Sequence, residues 1–204
     1  MPNPKKSSSF KGGALKLSDL NRLNLGDKPR IAVAGRSNVG KSTLLNALLG
    51  ARLARVSKSP GKTREINFFS CSLFGKQCWL VDLPGYGYAN VPLDLKDEWG
   101  REVTSWLNSD PYLIAIIVLI DGRHGFLEHD LRLINFLKSG QLPIIVAFTK
   151  MDKWKSNTAR LEACEKLSAQ AKNNLISRFT FIDNTKGGTV AAKAIRLLLK
   201  ELLA

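Results

Sequence analysis

Apolar residues in this chain gather in short runs separated by polar turns that carry glycine. Residues 31–34, 113–120 and 143–148 are nearly unbroken apolar stretches, the pattern of parallel strands covered on both faces. The longest, from Leu113 to Ile120, is far too short to cross a bilayer. Around residue 70 the pattern becomes alternating, Phe69, Cys71 and Leu73 against Ser70 and Ser72, and a turn at Gly75-Lys76 leads into the run 78–81. That is a hairpin, so one strand is expected to run antiparallel to the others, at the sheet edge. A last strand is expected over 178–183. Helical segments are expected over 43–49, 93–107, 128–137 and 190–202; in the last, Ile195, Leu198 and Leu202 oppose Lys193, Arg196 and Lys200. Trp99 and Trp106, seven apart, read as core residues. Strand–helix alternation predicts an α/β doubly wound sheet, six-stranded and mostly parallel with one antiparallel edge strand. Its ligands should lie at the carboxyl ends of the strands. Residues 1–17 read as a disordered basic tail and 18–204 as one domain.

The polar residues at the strand ends carry the chemistry. Run 31–34 leads into Gly35, Arg36, Ser37, Asn38, Val39, Gly40, Lys41 and Ser42, a G-x-x-x-x-G-K-S pattern followed by helix formers. Between a strand and a helix this pattern cradles phosphate, because loop N–H groups and the positive helix end face the same anion. Lys41 is expected to reach the β- and γ-phosphates, and the Ser42 hydroxyl to bind Mg²⁺. Run 78–81 ends at Asp82, Leu83, Pro84 and Gly85, a D-x-x-G whose carboxylate meets a Mg²⁺-bound water and whose glycine N–H meets the γ-phosphate. Run 143–148 ends at Thr149, Lys150, Met151 and Asp152. A carboxylate that accepts from N1–H and the exocyclic N2–H₂ selects guanine, since adenine has no such donor pair. The Lys150 stem can pack over the purine. Phe181, Ile182 and Asp183 stand where a segment contacting guanine through its backbone is expected.

Charge adds a second partner. The chain has 31 Lys and Arg against 17 Asp and Glu, a formal net charge of +14. That imbalance predicts salt-sensitive attraction to a polyanion. Nucleic acid fits better than membrane, because no segment combines a basic face with a large apolar one in the manner of an interfacial helix. The helix expected over 190–202 reads equally well as core-packed with a solvated face. Arg52, Arg55, Lys58, Lys62 and Arg64 crowd the connection after the first helix, and a loop of that length in a compact domain is usually functional. Cys71, Cys78 and Cys164 have no metal or redox spacing, which points to a cytoplasmic protein without disulfides. His124 and His129 lack a third ligand and read as surface residues.

Taken together, the motifs at 35–42, 57–64, 82–89, 121–125 and 148–153 resemble the EngB family of bacterial GTPases, over nearly the whole chain after about residue 18. The resemblance implies a Ras-like P-loop GTPase fold that takes GTP or GDP with Mg²⁺. It implies a monomer whose partner is the large ribosomal subunit or its rRNA, without DNA specificity or membrane insertion. The role implied is assembly of that subunit, linked to cell division and septation. By the same matching Gly61, Lys62 and Thr63 close on the nucleotide, Thr63 joins Ser42 on Mg²⁺, and Lys41, Thr63 and Gly85 act on the γ-phosphate. The family's last guanine motif usually has a serine pair after its Phe, whereas here Ile182 and Asp183 follow Phe181. A Ras-like switch places a water-orienting Gln after the D-x-x-G glycine. This chain has Tyr86 there, so slow intrinsic hydrolysis is expected. Asn38 stands where some related GTPases coordinate K⁺, a cation that would replace an arginine finger electrostatically. The alternative is a nucleotide-responsive RNA-binding module with negligible turnover. A small-molecule kinase would share residues 35–42 but have no need of residues 149–152.

Overall fold

The unbroken apolar runs take the middle of a sheet, and the sequences with polar alternation or glycine take its flank. The computed structural model describes residues 8–54, 65–86, 93–183 and 189–203, with 93–99 as backbone only. Among these, seven strands form one sheet: β1 (Ser9–Ala14), β2 (Arg30–Gly35), β3 (Ile66–Leu73), β4 (Lys76–Asp82), β5 (Leu113–Asp121), β6 (Ile144–Thr149) and β7 (Phe179–Phe181). Their order is β1-β3-β4-β2-β5-β6-β7. Strands β4, β2, β5, β6 and β7 are parallel, while β3 is antiparallel to both β4 and β1. The helices are α1 (Leu20–Leu23), α2 (Lys41–Leu49), α3 (Leu93–Ser109), α4 (Glu128–Ser139), α5 (Asn157–Asn173) and α6 (Thr189–Lys200).

The doubly wound, mostly parallel α/β sheet with an antiparallel strand is as expected, with three corrections. That strand, β3, lies one in from the edge, between β1 and β4. The sheet has seven strands, because residues 9–14 add a strand beside β3. The reading of 1–17 as a disordered tail therefore fails over 9–14, while residues 1–7 lie outside the described residues. Two adjacent glycines mark that stretch as a poor strand by propensity. What holds it is nonlocal: the ladder to β3, the Phe10 ring 5.3 Å from Phe69, and Ser9 Oγ hydrogen-bonded to Ser70 Oγ at 2.8 Å. The β3–β4 turn falls on Phe74-Gly75, one residue earlier than expected, with both residues at positive φ as a two-residue hairpin demands.

Side chains alternate across the sheet into two cores. On one face Ala32, Phe68, Val81, Ile116, Val118 and Val146 pack with Trp106 of α3, Ile134 of α4 and Leu167 of α5. On the other Ile31, Val33, Leu80, Ile117 and Ala147 pack with Leu45 and Leu48 of α2 and Ile195 and Leu199 of α6. Trp106 is fully buried edge-on to Phe68, as its periodicity predicts; the Trp99 side chain lies outside the described residues. Cys71 and Cys78 face each other across β3 and β4, both buried as small apolar residues. Because β2, β4, β5 and β6 are parallel, their polar carboxyl-terminal residues come to one edge.

Candidate guanine-nucleotide site

The loop from Gly35 to Gly40 joins β2 to α2 at that edge, and it is shaped by its own backbone. Asn38 is exposed with φ 60°, and Gly40 opens α2 at φ 107°. The first N–H groups of a helix have no intrahelical acceptor, so those of α2 are available to an anion. Lys41 and Ser42 stand in the first turn, partly buried, and Val39 is packed beneath the loop.

The D-x-x-G segment folds against this loop. Leu83 N donates to Val33 O at 3.0 Å, which sets Leu83 and Pro84 into buried positions. Asp82 forms an ion pair with Lys41. Burial raises the Asp82 carboxyl above its ordinary pKa, and the Lys41 charge and hydrogen bond pull it back. Gly85 lies so close to the loop that a Cβ there would meet Ser37 Oγ at 2.8 Å. Tyr86 pairs its backbone with Arg36 and donates its hydroxyl to Asp130 Oδ1 at 2.9 Å, so the side chain after the glycine is tied to α4.

The T-K-M-D segment is tied to the same loop from the other side. Thr149 Oγ1, buried, donates to Val39 O at 2.7 Å, which fixes the end of β6 against the phosphate loop. Lys150 takes a left-handed conformation, φ 60°, and its ammonium lies 2.9 Å from Asp121 Oδ2. Asp121 also accepts from Arg123 Nη2 at 2.7 Å, Nε at 2.9 Å and backbone N at 3.1 Å. Burial opposes ionisation of Asp121, but the hydrogen bonds from Arg123 and Lys150 outweigh it and hold the carboxyl well below the usual range. Met151 is buried and donates its N–H to Ile182 O at 3.2 Å. Gly122 leaves room for it: a Cβ there would meet Met151 Sδ at 2.4 Å. The Asp152 carboxylate is nearly buried, 3.2 Å from Lys153 Nζ.

Of the third guanine segment, Phe181 stacks on Phe148 with ring centroids 5.4 Å apart, and Ile182 is buried with its N–H donating to Phe148 O at 2.7 Å. Those two side chains serve the core. Asp183 lies 3.2 Å from Arg160 of α5. Gly61, Lys62 and Thr63, with most of the basic loop, lie outside the described residues. His124 and His129 are both exposed.

The residues present suit Mg²⁺. Asp82 is a desolvated carboxylate already compensated by a cation, and the Ser42 hydroxyl one residue after that cation is a second hard oxygen donor. Asp121 and Asp130 are the residues that sequence reasoning passed over. The turn holding Asp121 was visible as a motif, but nothing local marks either carboxylate as a partner of Lys150 or Tyr86.

Comparison with known proteins agrees with this geometry. A family model described as 50S ribosome-binding GTPase matches residues 30–150. The probable GTP-binding protein EngB of Halothermothrix orenii is 47% identical over 126 residues, 61% of this chain and 62% of that protein, so the match spans less than two thirds of that relative. The probable GTP-binding protein EngB of Lactobacillus helveticus is 37% identical over 178 residues, covering 87% of this chain and 85% of that one. Among solved structures, Era in complex with MgGDPNP and a segment of 16S ribosomal RNA has a TM-score of 0.67 and 26% identity, over 84% of this chain and 56% of that one. This chain therefore carries a P-loop GTPase domain and belongs to the EngB family of GTP-binding proteins.

Proposed function

We propose that this protein is a guanine-nucleotide-controlled factor that hydrolyses GTP to GDP and acts in assembly of the large ribosomal subunit, with consequences for cell division and septation. The observation that carries the nucleotide reading is convergence on one loop: Lys41 pairs with Asp82, Gly85 abuts Ser37, and Thr149 bonds Val39. In hydrolysis, water attacks the γ-phosphorus while the bond to the β–γ bridging oxygen breaks, leaving GDP and phosphate. Lys41 and the loop N–H groups of residues 35–42 hold the phosphates, Gly85 N–H meets the γ-phosphate, and Asp152 accepts from guanine with Lys150 alongside. The segment of Phe181, Ile182 and Asp183 completes the base contact. Ser42 and Thr63 would hold Mg²⁺, which when bound neutralises charge on the β- and γ-oxygens.

The ribosomal reading rests on the net charge of +14 and on the family model's description. Era, related in fold, is a protein seen with MgGDPNP and ribosomal RNA together. The site of action is the cytoplasm, and the protein acts as a monomer. Among the described residues no helix is long and apolar enough to cross a membrane. Co-sedimentation with ribosomal subunits tests this: pelleting with the large subunit is expected with a non-hydrolysable GTP analogue more than with GDP, weakening as salt rises. Equal pelleting in all nucleotide states contradicts it.

One observation favours the alternative of an RNA-binding module with negligible turnover: the Tyr86 hydroxyl is committed to Asp130 and is not a group that orients water. Single-turnover hydrolysis with and without large subunits separates the two, and a flat, negligible rate selects the alternative. Repeating it in KCl and NaCl tests whether K⁺ at Asn38 assists; equal rates remove that role.

A further inference from the structure

Asp130 is a carboxylate with no exposed surface, in the first turn of α4, and nothing in the nucleotide chemistry uses it. A buried carboxylate is costly unless its partners satisfy it. Its partners are informative. Oδ2 accepts from Leu127 N at 2.9 Å, which closes the helix start. Oδ1 accepts from the Tyr86 hydroxyl at 2.9 Å and lies 3.6 Å from Arg36 Nε. Arg36 follows Gly35, the first phosphate-loop glycine, and Tyr86 follows Gly85, the D-x-x-G glycine; their backbones are also bridged in parallel. One carboxylate thus gathers the residue after a glycine of each motif, the phosphate loop and the D-x-x-G. Burial first, then the Asp130 charge, raises the Tyr86 pKa well above its ordinary value, so the hydroxyl stays a donor.

The gap beside this contact is narrow. A methyl added at Gly85 would lie 2.8 Å from Ser37 Oγ and 3.4 Å from Ser37 N, so the segment rests closely on the phosphate loop. Any shift of Gly85 on the loop carries Tyr86, the next residue, with it.

We propose that Asp130 is a positioning residue that anchors Tyr86 and Arg36 together, holding the D-x-x-G segment against the phosphate loop and so favouring GDP over GTP until the γ-phosphate displaces it. The proposal rests on the reading of the site as one for guanine nucleotide. A contact that only stabilised the fold would change the affinities for both nucleotides alike. The test is the Kd of GDP and of a non-hydrolysable GTP analogue, measured by calorimetry on the full chain and on Tyr86→Phe, Asp130→Asn and the double variant. Tyr86→Phe should shift the affinity ratio toward the analogue by at least about tenfold, the size of one hydrogen bond to a charged group. Asp130→Asn, which keeps an acceptor for Tyr86 but loses the charge facing Arg36, should shift it less. The double variant should shift it by less than the product of the two. An unchanged ratio in Tyr86→Phe, or equal losses for both nucleotides, overturns the anchor while leaving the nucleotide reading intact. If the unmodified protein binds neither guanine nucleotide, both fall together.

Discussion

The two ends of the nucleotide site are built on different terms. At the guanine end the protein's own groups are satisfied in ways a base need not disturb: Thr149 on Val39, Lys150 on Asp121, Asp121 on Arg123, and Met151 on Ile182. At the phosphate end the groups meant for ligand are satisfied by one another. Lys41 holds Asp82 where it should hold phosphate, Gly85 rests on Ser37, and Tyr86 is tied to Asp130. Base recognition is therefore preorganised, whereas triphosphate recognition has to exchange internal partners for ligand. Only the second arrangement can distinguish GTP from GDP, because only there does the extra phosphate compete with something.

Substitutions at the two ends should separate on that basis. The largest effect is expected for Asp152→Asn: two charge-assisted hydrogen bonds to guanine are lost, so GTP affinity should fall about 1,000-fold and preference should move to xanthosine triphosphate. Calorimetry with both nucleotides checks it, and unchanged guanine selectivity would refute the base assignment. Lys41→Ala should weaken the GTP analogue about 100-fold and GDP less, since it removes a charge that meets the β- and γ-phosphates. It also orphans Asp82, whose raised pKa should rise further.

Asp121→Asn comes next. It frees Lys150, so both nucleotides should weaken by a similar factor of about ten, with their ratio unmoved. A shift in the ratio would mean that the ends are not independent.

These residues also mark what the sequence could and could not disclose. The phosphate loop, the D-x-x-G and Thr149 to Asp152 were legible because each is a local pattern fixed to a strand end. Strand β1 was not, because its stability comes from a β3 ladder paired across the sequence, as in Ser9 with Ser70. Helix α5 had no recognised pattern either: its buried face includes the small residues Ala163 and Ala171, while Leu161 is exposed. Asp130 lies 44 residues from Tyr86, and no spacing rule connects them. The basic segment around Thr63 was legible as a motif, but lies outside the described residues.

The smallest effect expected is on acid stability. The Asp121 carboxyl is held below its ordinary value of 3.8 by Arg123 and Lys150 against the cost of burial. Its stabilisation is therefore present above that pH and is lost as pH falls below it. Thermal melts between pH 5 and about 2.5 should fall less steeply in Asp121→Asn than in the unmodified protein. Parallel slopes would mean that Asp121 is no more strongly held in the folded chain than in the unfolded one.

The most direct test is a crystal structure with Mg²⁺ and a non-hydrolysable GTP analogue. Lys41 Nζ should have left Asp82 for phosphate oxygens and Gly85 should have lifted from Ser37, while Thr149 Oγ1 remains about 2.7 Å from Val39 O. An analogue seated with the Lys41–Asp82 pair and the Gly85 contact unchanged, or one that rebuilds the residues around Thr149, would contradict it.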